Sequence, residues 1–421
     1  MQENVEPLIY QDVLKEIRGK ENHLLLANGF NYGLGVHTGY KDIFNKMLEN
    51  NHGIYTEAKP FIERCNYDLE MFLGEITKYI YNNEFLKKYV CNKIKLDFMQ
   101  ALHEIVKSHI KNVYAKKNEG IYLLLQNFTN YFTLNYDSFL YLLLLNFKPI
   151  NQKDRDCFAF HPLPEFIENE LNENHQNIYN EIKHTRESGK LSLSIDNRER
   201  TQTDCDKLSK IDFKSAIRQY AKNTGKNWKD KEIDKTINLL LENEKKNAVL
   251  KNVDDGSRQL PLFEDQYVFD TKSKSQNLFF LHGATHIIKD RDKTIKITQD
   301  SSRALYQKLE EILNSNDKEI VCVFQAKNKL EAIKKDPYLS HCYEKLKTLS
   351  GNMVIIGSSL ADNDNHIFNQ INESKIEKIY ISSTENELKK YEKLIKEIFP
   401  NKETYLFLAE SISYEINKNQ I

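Results

Sequence analysis

The chain has 421 residues, of which 60 are Lys or Arg and 61 are Asp or Glu, so its formal net charge at pH 7 is −1. This balance excludes the basic surplus that is typical of a dedicated nucleic-acid binder, and no nucleic acid is expected as a partner. Only 40% of the residues are hydrophobic, but 23 Tyr and 22 Phe argue against intrinsic disorder. A chain of this length is expected to form one large domain with an insertion, or two domains.

The sequence predicts a protein of the cytoplasm. The first residues, MQENVEPLIYQDVLKEI, lack the basic start and apolar run of a secretory signal. The longest apolar runs, such as FLYLLLL, are far shorter than the roughly 20 residues that span a bilayer, so no membrane partner is expected. The six cysteines are scattered without any CxxC pair, which is typical of reduced thiols.

In the first part of the chain, a strand is followed by long helices and a second strand. The apolar run HLLLAN (23–28) stops at Gly29, as a buried strand does before a tight turn. The periodicity from about 41 to 127 is helical. Residues 131–133 resemble a short buried strand, and a leucine-rich helix is predicted over 138–147.

The rest of the chain divides at about residue 270. Residues 151–270 are polar and highly charged, and they are predicted to form a large, mostly helical insertion. Short apolar runs then return at 277–283, 319–325, 353–359, 378–383 and 404–411, separated mostly by helical segments at 301–315, 327–348 and 385–398. This alternation predicts an α/β fold with a Rossmann-like, mostly parallel sheet covered by helices, built from residues 1–150 and 271–421 around the 151–270 insertion.

Several predicted strands end in small or polar residues. The carboxyl ends of parallel strands lie at one edge of a sheet, where α/β proteins hold their ligands. We therefore expect five segments that are distant in the sequence to converge there, namely Asn28-Gly29-Phe30, Asn135-Tyr136-Asp137, His282-Gly283, Gly357-Ser358-Ser359 and Ser382-Ser383.

Each of these segments also has an ordinary structural interpretation. The glycine-rich ANGFNYGLG (27–35) is either a plain turn or a nucleotide cradle, since it is neither a GxGxxG fingerprint nor a Walker loop. Ser358 and Ser359 either contact phosphate and ribose or cap a helix. Asn135 and Asp137 either contact a ligand or form an Asx turn and a helix cap.

The histidines and lysines near these segments carry weaker signals. His282 and His286 have no carboxylate or cysteine at usual ligand spacing, so zinc is not expected, and a structural role for His282 stays open. Lys327, Lys329 and Tyr338 are placed near the ligand edge, but positions on the helix surface are the expectation for all three.

The order of the motifs resembles the sirtuin family. The matching segments are ANGF, Thr133-Leu134-Asn135-Tyr136-Asp137, His282-Gly283 and Gly357-Ser358-Ser359-Leu360. The resemblance extends over residues 23–410 except the insertion. It is strongest to bacterial sirtuin-like proteins of antiphage defence, which destroy NAD+. Strings like LLLxNGF, LHGAxH and GxSLxDxD are expected in one uncharacterised bacterial branch of that superfamily, and all three have counterparts here.

The resemblance implies NAD+ as substrate and assigns roles to individual residues. Asn135 corresponds to the asparagine that orients the nicotinamide ribose or the attacking water, and His282 to the base or ribose-hydroxyl partner. Asp137 would help to hold the carboxamide, in the motif that begins at Thr133. The residues near the diphosphate and the adenosine side would be Ala27, Asn28, Gly29, Phe30, Gly357, Ser358, Ser359 and Ser382.

The expected function is therefore hydrolysis of NAD+ to nicotinamide and ADP-ribose. Nicotinamide leaves as a neutral molecule, so a histidine of ordinary pKa, about 6.5, suffices as a mild base. An NAD+ or ADP-ribose sensor without turnover and an ADP-ribosyltransferase remain alternatives. Lysine deacylation is disfavoured because the paired CxxC motifs of classical sirtuins are absent. The resemblance also implies a homo-oligomer and control by a partner protein, such as an ATPase or a phage protein.

Overall fold

The computed structural model of the protein describes most of the chain outside the predicted insertion. The described residues are 7–80, 82–146, 193–195, 198–200, 218, 222, 225, 227–235, 253–259, 267–297, 305–315, 317–324 and 328–414. Most of the predicted helical insertion at 151–270 therefore lies outside the described residues.

The first part of the chain contains two strands embedded in helices. Its elements are α1 (Tyr10–Ile17), β1 (Asn22–Leu26), α2 (Asn28–Gly33), α3 (Tyr40–Asn50), α4 (His52–Arg64), α5 (Leu69–Tyr79), α6 (Glu84–Leu125), β2 (Asn130–Thr133) and α7 (Phe139–Asn146). The predicted strands at 23–28 and 131–133 are thus confirmed as β1 and β2, although the first ends at Leu26 and Asn28 already begins a helix. The helical periodicity over 41–127 corresponds to α3 to α6, of which α6 alone has 42 residues.

The second part of the chain alternates strands and helices after a run of short strands. The strands are β3 (Leu193–Ile195), β4 (Arg198–Arg200), β5 (Ser257–Gln259), β6 (Tyr267–Phe269), β7 (Leu278–Phe280), β8 (Gly283–Asp290), β9 (Lys293–Lys296), β10 (Lys318–Cys322), β11 (Ser350–Ile356), β12 (Lys375–Ser383) and β13 (Glu403–Leu408). The helices are α8 (Leu305–Asn314), α9 (Lys329–Lys335), α10 (Pro337–Lys347), α11 (Asn365–Asn372) and α12 (Leu388–Ile398).

Six parallel strands form the central sheet, in the order β13-β12-β11-β1-β2-β7. All pairings are parallel, and every residue of β1 is buried because helices flank the sheet. This arrangement confirms the predicted α/β fold with a Rossmann-like sheet. The chain runs from β1 to β2 on one side and later returns to β11 on the other, so the strand order reverses between β1 and β11. Ligands of open α/β sheets bind at such a reversal, outside the carboxyl ends of the strands.

A second sheet of five antiparallel strands, in the order β10-β8-β9-β6-β5, was not predicted. The run at 319–325 was expected in the parallel sheet, and that expectation is wrong because β10 pairs antiparallel with β8. Strands β5 and β6 come from the end of the predicted insertion, so this segment contributes strands to the second sheet. No helix among the described residues is long and apolar enough to cross a bilayer.

Candidate active site

Four neighbouring strands of the central sheet end at one pocket. Strands β11, β1, β2 and β7 lie side by side, and the residues that follow each of them face the same space. The pocket has a volume of about 470 Å³, which is within the range of small-molecule and cofactor sites. Its lining consists of Ala27, Asn28, Gly29, Tyr32, Thr38, Tyr40, Ile43, Phe98, Leu102, Leu134, Asn135, Tyr136, Asp137, His282, Lys329, Gly357, Ser358, Ser359, Ala361, Asn363 and Asp364.

Two glycines allow the ends of β1 and β11 to approach each other at the floor of the pocket. The Gly29 N–H donates to the Gly357 carbonyl at 2.9 Å. A Cβ on Gly29 would lie 2.6 Å from the Gly357 Cα, and one on Gly357 would lie 2.2 Å from the Phe30 nitrogen. Gly357 also has a φ of +74°, which side-chain-bearing residues rarely adopt. Backbone packing therefore explains these two glycines without any ligand.

Asn135 follows β2 and presents its side chain to the pocket. Its backbone N–H donates to the Thr133 hydroxyl at 3.1 Å, which fixes the turn after the strand. Its side-chain amide makes no hydrogen bond with any residue of the described part of the chain. An amide that lines a pocket with both its donor and its acceptor available can orient a polar ligand.

Asp137 has the helix-capping contact that its structural interpretation predicted. One carboxylate oxygen accepts from the Phe139 N–H at 2.8 Å, at the start of α7. The other accepts from the side chain of Asn31 at 2.9 Å, and Asn31 also donates to Thr38 at 2.8 Å. The Thr38 hydroxyl lies 2.5 Å from the amide of Asn28. This buried network fastens the segment after β1 to the segment after β2.

The Asp137 carboxylate should make stability depend on pH. Burial raises its pKa to about 6, despite the hydrogen bonds from Phe139 and Asn31. Because this lies above the unfolded value of about 3.9, the folded protein retains a proton between about pH 4 and 6. The free energy of unfolding is therefore expected to fall by up to about 3 kcal/mol as pH rises from 4 to 7.

Urea unfolding of wild type and Asp137→Asn between pH 4 and 7 measures this effect. The variant should lose that part of the pH dependence, whatever its absolute stability. Asp362→Asn removes an exposed carboxylate instead and should retain the wild-type slope. Parallel curves for wild type and Asp137→Asn would contradict the assignment.

His282 follows β7 and lies against two other titratable groups. Its Nε2 is 3.3 Å from Nε2 of His366 and 3.7 Å from Oδ1 of Asp364. Burial, with repulsion from Lys329, lowers the pKa of His282 to about 3. The pKa of His282 is therefore below the ordinary value of about 6.5 that was expected, and the imidazole is neutral at pH 7. A neutral imidazole still accepts a hydrogen bond from a hydroxyl group.

Lys329 is buried in the pocket wall, which corrects the expectation of a helix-surface position. Its ammonium lies 2.9 Å from the Glu70 carboxylate and 3.9 Å from that of Asp364. Glu70 also accepts from the Tyr136 hydroxyl at 2.9 Å. Burial raises the pKa of Glu70, and the neighbouring ammonium opposes this shift. Tyr338 is likewise buried, and Lys327 lies outside the described residues.

Three of the predicted contact residues do not line the pocket. Phe30 packs on Phe139 in the core, and Thr133 is buried as the acceptor for Asn135. The Ser382 hydroxyl accepts from the Gly357 N–H at 3.0 Å, so it positions the loop after β11. The other predicted residues are all brought together in the pocket, namely Ala27, Asn28, Gly29, Asn135, Asp137, His282, Gly357, Ser358 and Ser359.

The two serines after β11 differ in their surroundings. The Ser358 hydroxyl is buried and accepts from the Leu360 N–H at 3.2 Å, as the turn interpretation predicts. Ser359 is exposed at the pocket and has no side-chain hydrogen bond within the described ranges. Ser359 is therefore the serine that is available to a ligand.

Within the described residues, no group of three or more His, Cys, Asp or Glu side chains is placed to hold a metal ion.

Comparison with protein-family models matches part of the chain. Residues 234–411, less than half of the chain, match a domain of unknown function (DUF4917). This segment includes His282, Lys329 and the strands from β5 to β13, whereas β1, β2 and Asn135 lie outside it. No curated protein matches the sequence.

Proposed function

We propose that the protein hydrolyses NAD+ to nicotinamide and ADP-ribose. The observation that carries this proposal is the convergence of Asn135 and His282 in one pocket, at the strand-order reversal where α/β proteins bind nucleotides. The resemblance to sirtuin-like proteins assigns the central chemistry to the same two residues.

The charges of the pocket support a substrate with a cationic ring. Asp137, Asp364 and Glu70 face or adjoin the pocket, and Lys329 is the one Lys or Arg side chain in the described lining. The nicotinamide ring of NAD+ is positively charged, and the ribose becomes positive as the glycosidic bond breaks. Carboxylates held in fixed positions beside such a charge stabilise it more than mobile water does.

In the proposed hydrolysis, Asn135 and His282 would have different roles. The free amide of Asn135 would orient the attacking water or the ribose hydroxyls. Neutral His282 would accept a hydrogen bond from a ribose hydroxyl. The electron pair of the broken C–N bond leaves with nicotinamide, water supplies the new C–O bond, and its proton passes to solvent. A strong general base is not required for attack on a positively charged carbon, so the low pKa of His282 is compatible with this role.

Product analysis tests this proposal. The purified full-length chain is incubated with NAD+, and the products are resolved by chromatography. Equal amounts of nicotinamide and ADP-ribose support hydrolysis. A cyclic product would show that the protein cyclises NAD+ and does not hydrolyse it. ADP-ribose attached to a macromolecule would show ADP-ribosyl transfer. Binding of NAD+ without any product would contradict the proposed hydrolysis and favour an NAD+ sensor.

A further inference from the structure

The Asp364 carboxylate lies in the pocket wall without a hydrogen-bond donor from the described residues. Its side chain is only 17% exposed, and the neutral Nε2 of His282 lies 3.7 Å and the ammonium Nζ of Lys329 lies 3.9 Å from its Oδ1. Both distances exceed that of a hydrogen bond. The carboxylate is therefore a largely buried acceptor that the described protein atoms leave unsatisfied.

The Asp364 side chain does not cap the helix at whose start it lies. It occupies the N-cap of α11, where an aspartate commonly accepts from the first backbone N–H groups of the helix. Its side chain makes no such capping hydrogen bond. The carboxylate lies instead at the pocket, beside His282. A simple helix cap therefore does not account for this residue.

The neighbouring imidazoles add further acceptors at the same place. Nε2 of His282 and Nε2 of His366 are 3.3 Å apart, and each ring also hydrogen-bonds a backbone group, that of Leu134 and that of Asn363 respectively. When the proton of a neutral ring is on Nδ1, Nε2 is an acceptor. One of the two Nε2 atoms can donate to the other, depending on the tautomer, so at least one imidazole acceptor lies beside the Asp364 carboxylate. Such a group of acceptors is stabilised by a partner that brings donors.

We propose that Asp364, with His282 and His366, recognises the 2′- and 3′-hydroxyl groups of the ribose at the scissile bond. A vicinal diol supplies two O–H donors on adjacent carbons, which matches a carboxylate oxygen and an imidazole nitrogen 3.7 Å apart. The ammonium of Lys329 lies 3.9 Å from the same carboxylate oxygen. Asp364 is thus a specificity-determining residue, and this inference rests on the proposed function.

The test compares ligand binding with and without each hydroxyl. Dissociation constants are measured by calorimetry for ADP-ribose and for analogues that lack the 2′- or 3′-hydroxyl of its terminal ribose. Loss of the hydroxyl bound by Asp364 should weaken binding to wild type by about 10-fold to 100-fold, as expected for a hydrogen bond to a charged group. In Asp364→Asn, ADP-ribose binds more weakly, and the penalty for the missing hydroxyl falls to about 3-fold or less.

The variants are chosen so that a folding defect is not mistaken for the loss of a ligand contact. Asn is as favourable as Asp at an N-cap, so Asp364→Asn is expected to fold. Asp362→Asn, two residues away and exposed, should retain the wild-type penalty. The same penalty in wild type and Asp364→Asn would overturn the inference, even if NAD+ is cleaved. If wild type neither cleaves NAD+ nor binds ADP-ribose, the proposed function fails and this inference fails with it.

Discussion

Asn135→Ala is expected to lower the rate of nicotinamide release from NAD+ by about 10²–10³-fold, the usual cost of removing one pre-positioned polar group from an active site. The reason is geometric, because the side-chain amide faces the pocket and is not engaged by the described protein atoms. Its loss should leave the turn after β2 intact, since that turn depends on the backbone N–H of Asn135 and the Thr133 hydroxyl. The measurement is the initial rate at saturating NAD+.

A matched asparagine separates this effect from nonspecific damage. Asn369 is exposed on α11, outside the pocket lining, and Asn369→Ala should retain nearly the wild-type rate. The thermal unfolding midpoint of Asn135→Ala should remain close to that of wild type. Full activity in folded Asn135→Ala would remove this residue from the mechanism.

Gly357→Ala is expected to produce the largest loss of stability of any single change at the site. Its Cβ would lie 2.2 Å from the Phe30 nitrogen and 2.6 Å from the Gly29 Cα, and both of these are backbone atoms. Alanine is also disfavoured at a φ of +74°. Overpacking and backbone strain together should lower the free energy of unfolding by about 2–4 kcal/mol. The ends of β1 and β11 would separate, so NAD+ binding should also be lost.

Urea unfolding provides the measurement for Gly357→Ala, with a second glycine as the control. Gly74 lies in α5, and a Cβ placed there meets nothing within 4 Å. Gly74→Ala should therefore raise stability by about 0.5–1 kcal/mol, because alanine is the better helix former. An unchanged urea midpoint in Gly357→Ala would contradict this prediction, because the two strand ends could then separate with little loss of stability.

The central sheet could be predicted because its strands are buried on both faces. Continuous apolar runs such as HLLL and MVII are typical of parallel strands under helices, and they became β1 and β11. The second sheet could not be predicted in this way. The run around β10 is equally apolar, and an apolar run does not reveal whether its partner strand is parallel or antiparallel. The exposed charged residues Arg291 and Asp292 lie in the turn between β8 and β9, and this charge concealed the strand pair.

The residues that follow the strands of the candidate site could be predicted, but the positions of Lys329 and Asp364 in the pocket wall could not. Strand ends must meet at one edge of a parallel sheet, so Asn135, His282 and Gly357 were expected together. Lys329 was placed near the ligand edge but expected on the helix surface, since a lysine on a short helix is usually exposed. Its ammonium pairs instead with Glu70 in a distant helix. Asp364 had a signal in the GxSLxDxD string, but its unused N-cap geometry is visible only in three dimensions.

The low pKa of His282 is also a property of the folded protein alone. Burial beside Lys329 removes the ordinary basicity that a histidine has in sequence-based reasoning. We therefore expect the proposed hydrolysis to depend on positioning and on carboxylate charge more than on proton abstraction.

The most direct test of the account is the time course of nicotinamide release when NAD+ is added to the purified wild-type chain, with Asn135→Ala as the matched blank. The account predicts stoichiometric nicotinamide and ADP-ribose from wild type and about 10²–10³-fold slower release from the folded variant. Absence of both NAD+ binding and nicotinamide release in the wild-type chain would contradict the central claim that this pocket holds and cleaves NAD+.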